Sequence, residues 1–123
     1  MKVLLYTPGT GESGNRLRSF LETHVPGSKM DVYHTVEGLA ERLKAPREGE
    51  VVAVLQTNSQ EDLSALFSIR HRLENVKTII LAPDREEETI ALAHQLRPRF
   101  LGYLNDDLYR VAAVLEKMLK DHG

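Results

Sequence analysis

The stretch Tyr6–Leu17, YTPGTGESGNRL, gathers the residues best suited to chemistry. It follows an apolar run and leads into a helical pattern, a setting in which backbone N–H groups can surround a phosphate. Gly9 and Gly14 have the spacing of a nucleotide-binding P-loop. Asn15 and Arg16, however, stand where that motif requires Lys and a hydroxyl residue. Without the lysine, the outer phosphates lack a counter-charge; without the hydroxyl, Mg²⁺ lacks a ligand. Arg16 is a partial substitute, and Glu12 adds an unfavourable charge. Gly9, Thr10, Gly11, Ser13, Gly14, Asn15 and Arg16 therefore form a candidate anion-binding loop with three readings open: tight ligand binding, weak anion binding at a helix start, and a plain turn. The residue types favour the turn.

The remaining polar candidates are weaker. Glu12, Asp84 and Asp106 are placed to meet at one sheet edge around a cation, although Asp84 and Asp106 serve equally well as helix caps. Histidines 24, 34, 71, 94 and 122 lack metal-ligand spacing, and only His34 ends a strand near that edge. Ile69–Glu74, IRHRLE, reads as a solvated helix face with a small basic patch. The absence of cysteine removes disulfides, thiolate catalysis and cysteine metal sites. No metal, cofactor or catalytic set is expected.

These residues are positioned by five short apolar runs: Val3–Tyr6, Met30–Tyr33, Val51–Leu55, Thr78–Ala82 and Phe100–Leu104. VVAVL and TIILA are continuously apolar, as strands covered on both faces are. Between the runs the period becomes helical. Leu17, Phe20, Leu21 and His24 mark one helix, and Val36, Leu39, Ala40 and Leu43 a second. Leu63, Leu66, Phe67, Arg70 and Leu73 predict a third, Ile90, Ala93 and Leu96 a fourth, and Leu108, Val111, Ala112, Leu115 and Leu119 a fifth. Ser59 with Asp62 and Asp84 with Glu87 have capping-box spacing, and Pro46 and Pro98 follow helix ends. Strict strand–helix alternation predicts one doubly wound α/β domain over 1–123, with a parallel five-stranded sheet in the order 2-1-3-4-5. Ligands in that topology sit beyond the strands' carboxyl ends, near the first and third.

The chain resembles the receiver domain of two-component response regulators over essentially its whole length. The likeness rests on KVLLYTP, VVAVLQ, KTIILAPD and GYLND at the first, third, fourth and fifth strands. It implies a CheY-like (βα)5 fold, similar also to that of flavodoxins, whose Thr-rich phosphate loop is loosely matched by TPGTGESGN. Receivers transfer a phosphoryl group to an aspartate, using an acidic pair for Mg²⁺, an acceptor Asp, a Ser or Thr, and a Lys. The matching positions here are Thr7 and Pro8 for the acidic pair, Gln56 for the acceptor, Ala82 for the hydroxyl residue and Asp106 (or Asn105) for the lysine. An amide is a poor nucleophile, Thr7 and Pro8 offer a hard cation almost nothing, and Asp reverses the lysine's charge. The resemblance thus implies a degenerate pseudo-receiver that is not an enzyme.

In receivers the face of the fourth helix, fifth strand and fifth helix carries output. Tyr103 supplies that strand's aromatic and reads first as a static surface or core residue. The fifth helix has surplus apolar residues in Tyr109, Ala113, Val114 and Met118 that fit a wide core contact and a protein interface equally. A homodimer is expected there, with Arg110 and Lys117 meeting Glu86–Glu88 of a second copy. The expected function is phosphorylation-independent signalling through partner binding or self-association. The alternative is a small-ligand or nucleotide-binding protein using the Gly9–Gly14 loop. A formal net charge of -2 over 123 residues shows no general nucleic-acid footprint. With no membrane-length apolar segment and no signal-peptide pattern, a cytoplasmic location is the simplest expectation.

Overall fold

The apolar runs form strands β1 (Lys2–Tyr6), β2 (Lys29–Tyr33), β3 (Val51–Gln56), β4 (Lys77–Ala82) and β5 (Phe100–Tyr103). The structure is a computed structural model that describes residues 2–9, 11–25, 29–45, 51–103 and 108–121. All the strand pairings are parallel, in the order β2-β1-β3-β4-β5. The connecting helices are α1 (Glu12–His24), α2 (Val36–Lys44), α3 (Gln60–Phe67), α4 (Arg70–Leu73), α5 (Glu87–Gln95) and α6 (Leu108–Asp121). The doubly wound fold and strand order therefore match the expectation.

Because side chains alternate across a strand, the sheet feeds two cores. Leu4, Tyr6, Ala53, Leu55 and Ile80 pack with Leu39, Leu63, Leu66 and Ala93 on the face covered by α2, α3, α4 and α5. Val3, Leu5, Val52, Val54, Ile79 and Leu81 pack with Leu17, Leu21, Val111 and Leu115 beneath α1 and α6. β3 is buried at every position, which explains its unbroken apolar run.

Two local expectations are corrected. The predicted third helix is two: it stops at Phe67 and resumes as the single turn of α4. The Ser68 hydroxyl donates to the Ala65 carbonyl, competing with regular helical bonding, and Ile69 leaves helical geometry at φ -111° and ψ 20°. Asp84 does not cap the next helix. Its Oδ1 accepts from the Glu86 N–H at 3.0 Å, closing an Asx-type turn, and Glu86 occupies the N-cap position. The Ser59 cap is present: its hydroxyl accepts from the Asp62 N–H at 3.3 Å, while Asp62 Oδ2 accepts from the Asn58 N–H at 2.8 Å.

Candidate functional site

At the carboxyl edge, the register of β1, β3 and β4 sets Thr7 beside Gln56 and Gln56 beside Leu81, while Ala82 lies one residue further on, beside Thr57. Thr7 is only 3% exposed. Its N–H donates to the Tyr33 carbonyl at 2.9 Å. His34 Nδ1 lies 3.0 Å from the Thr7 carbonyl and 3.1 Å from its hydroxyl. The carbonyl can only accept, so that contact is a hydrogen bond when Nδ1 carries the proton. His34 does reach the carboxyl edge, where its ring nitrogen ties the end of β2 to the end of β1.

The loop glycines divide by role. Gly9, exposed, adopts φ +74° with open space about the position a Cβ would take. It supplies the left-handed backbone that turns the chain away from the sheet. Gly14 is buried in the first turn of α1, where a Cβ would come within 2.9 Å of Thr7 Cβ. It lets the helix rest directly on the end of β1, a packing reason for glycine independent of any phosphate. Pro8 is half-buried, whereas Gly11, Asn15 and Arg16 are exposed. Gly11 is the N-cap of α1 and provides no side-chain hydrogen bond to it. Thr10 and the side chain of Ser13 lie outside the described residues, as do Asn105 and Asp106; the suggested meeting of Glu12, Asp84 and Asp106 falls outside with them.

Gln56 is 1% exposed, and its Nε2 donates to Asn58 Oδ1 at 3.3 Å. The adjacent Thr57, fully buried, directs both its N–H and hydroxyl to the Leu81 carbonyl, at 3.0 and 2.7 Å. Ala82 is fully buried. On the sheet face of Leu55 and Ile80, Tyr6 lies within electrostatic reach of Asp62 and Glu37. Burial pushes its phenol up to about 12, and the two carboxylates act in the same direction. Among the described residues, no three histidine, aspartate or glutamate side chains gather as a cation-binding set.

Sequence reasoning missed the links that position this edge. Thr57 ties β3 to β4, and the Gln60 amide donates to the buried Thr89 hydroxyl at 3.0 Å, joining α3 to α5. An isolated threonine inside an amphipathic pattern gives little advance sign of such a partner.

The expected output face separates into two neighbourhoods. Tyr103 lies under the guanidinium of Arg85, 3.8 Å from Cζ to ring centroid, and Arg110 approaches Phe100 at 5.9 Å. These residues border a cavity of about 270 Å³ along β5. Tyr109 is 61% exposed but leans the other way. It meets Phe20 and His24 of α1, both at a ring-centroid distance of 4.9 Å. Ala113 and Lys117 are exposed; Val114 and Met118 are half-buried against the core beneath α1 and α6.

No family model matches the chain, and no curated protein matches it. Among solved structures, it is similar to a response regulator receiver domain protein (CheY-like) from Methanospirillum hungatei. The TM-score is 0.72 at 8% identity, covering 99% of this chain and 96% of that one. The likeness is one of fold, with the receiver-domain architecture present from end to end. No helix among the described residues is long and apolar enough to cross a membrane.

Proposed function

We propose that the protein is a receiver-like module that works without phosphorylation and without catalysis, through binding to a protein partner or to itself. The observation that carries this reading is the buried Gln56 at the end of β3, beside Thr7, where phosphoryl transfer would require an acceptor carboxylate with metal and hydroxyl support. A carboxamide supplies neither the anionic nucleophile nor a charged metal ligand. Incubation with Mg²⁺ and acetyl phosphate should leave the intact mass unchanged. A stoichiometric, acid-labile adduct on any aspartate would overturn the proposal.

Self-association is assigned to α5, β5 and α6. Arg110 and Lys117 are exposed on α6, and Glu86, Glu87 and Glu88 are exposed at the start of α5. A two-fold arrangement repeats each such contact. Tyr109 is left out of the central contact because it turns toward α1. Sedimentation of wild type, Lys117→Glu, Glu87→Lys and the double variant is the test. Each reversal alone should weaken the dimer, and the double variant should restore it. A wild type that remains monomeric at high concentration, or a dimer indifferent to both reversals, excludes this face.

The second reading, small-anion binding at residues 9–16, draws on the α1 start, which has no side-chain cap. It predicts thermal stabilisation by ATP, GTP or FMN that disappears in Arg16→Ala. Melting curves unmoved by millimolar ligand eliminate it. The proposed setting is cytoplasmic, without nucleic acid, membrane or cofactor.

A further inference from the structure

A cavity of about 610 Å³ opens at the amino edge of the sheet, between the end of α3, α4 and the end of α5. We propose that it binds a small organic anion with a ring-sized apolar body and one carboxylate, sulfonate or phosphate group. Its volume lies within the roughly 300–1,000 Å³ typical of small-molecule sites. Half-buried Phe67, with the edges of the buried Leu73 and Leu96, supplies the apolar part of a lining that is otherwise polar, and Arg70 and Arg97 bring two guanidinium groups to it.

The Arg70 side chain and the Arg97 backbone are each held by their surroundings. The Arg70 guanidinium stacks 4.3 Å from the Phe67 ring centroid and donates to the Phe67 carbonyl at 3.1 Å. This fixes the fork and leaves most of its five N–H donors available. Arg97 has φ 52° and is the only described non-glycine residue at positive φ. Its N–H donates to the His94 carbonyl at 3.0 Å, finishing α5 in the place where glycine is usual. Arginine at that point retains a cation on the cavity despite a backbone conformation that disfavours a side chain.

The charge around the cavity has one sign in excess. Glu74 also lines it, so the two arginines leave a formal balance of +1. Among the described residues, neither arginine forms an ion pair. A singly charged head group can accept charge-assisted hydrogen bonds from these guanidinium groups. Glu74 disfavours polyanions, and the Phe67 ring with the leucine edges favours a ring-bearing body over inorganic phosphate. The ligand class follows from that combination. The inference is independent of the receiver-like reading, because this cavity lies at the opposite edge from Gln56.

The test is titration of the full chain with 1-anilinonaphthalene-8-sulfonate, followed by fluorescence and by backbone amide NMR shifts. The uncharged N-phenyl-1-naphthylamine serves as control. Saturable binding is expected, with shifts centred on Phe67–Val76 and Gln95–Arg97. Arg97→Gly and Arg70→Gln should each weaken the sulfonate by about fivefold or more while leaving the uncharged probe within about twofold. Arg97→Gly should melt at or above the wild-type temperature, since glycine accepts the positive φ; weaker binding by this variant is then separable from unfolding. Absence of saturable binding, shifts centred elsewhere, unchanged affinity in both variants, or equal loss of the uncharged probe would each overturn the proposal.

Discussion

The two edges of the sheet handle their polar groups in opposite ways. At the carboxyl edge, Thr7 and His34 bond to one another, Thr57 bonds to Leu81, and Gly14 brings α1 down onto Thr7. At the amino edge, helix ends stand apart around a cavity that retains two arginines. The topology makes the carboxyl edge the usual place for ligands, yet the described residues there are engaged in internal bonds and close packing. Topology locates a possible site; the side chains decide whether there is space and charge left to use it.

The largest test of this contrast places a charge in the closed edge. Gln56→Asp should lose about 3–5 kcal/mol at neutral pH, because its carboxylate would take the place of a neutral amide that is buried. Burial raises that carboxyl's pKa above the unfolded value of about 3.9. Stability is therefore least impaired below that pH and falls as pH rises through the folded-state pKa. Urea unfolding at pH 4 and pH 7.5 measures the difference. A loss below about 1 kcal/mol at both values would mean that water reaches this edge freely.

Gly14→Val is next. Its added atoms meet Thr7 Cβ, and separating α1 from β1 should cost about 2–3 kcal/mol. Denaturant unfolding that finds the variant as stable as wild type would remove the packing account of this glycine. Tyr6 provides a smaller test confined to alkaline conditions. Its phenol is raised from the usual value to about 12, so the folded state favours the protonated ring. Tyr6 contributes stability that is fully present below about pH 10 and is lost as pH rises toward the folded value. The difference between wild type and Tyr6→Phe should therefore shift against wild type above pH 10. Parallel pH curves would contradict the burial assigned to the hydroxyl.

The smallest expected effect lies at the open edge. Arg97→Gly relieves a left-handed residue but enlarges the unfolded ensemble, so a net gain of no more than about 1 kcal/mol is expected. Calorimetry is the measurement. A clear loss of stability would show that the Arg97 side chain supports the fold rather than standing ready at the cavity.

Much of the architecture was legible because burial imposes a period. VVAVL and TIILA stay apolar throughout since both sheet faces are covered, and the helical stripes correctly divide the chain into βα units. The break between α3 and α4 was hidden because Leu66, Leu73 and their neighbours continue the apolar spacing across Ser68 and Ile69. The placement of Thr7 beside Gln56 was accessible through strand alignment. The partners that close this edge were not: His34 and Leu81 lie 27 and 24 residues from the side chains they hold. The direction of Tyr109 toward α1 likewise depends on how α6 is rotated over the sheet. Arg97 gave no sign of its left-handed backbone, since the usual marker for that conformation is glycine.

An open sheet has two borders at which a foreign strand could add, and their composition bears on colloidal behaviour. β2 carries Lys29 and Asp31 on one border, with Asp31 held by Lys2 at 2.9 Å. β5, on the other, is only four residues long and contains Gly102, while Arg85 covers Tyr103. Charge on one border and brevity on the other both disfavour intermolecular ladder growth. The most amyloid-compatible segments, VVAVLQ and KTIILA, are paired on both sides at the centre of the sheet. Aggregation of this chain should consequently require global opening of the sheet, and its rate should follow the unfolded population rather than the concentration of native protein alone.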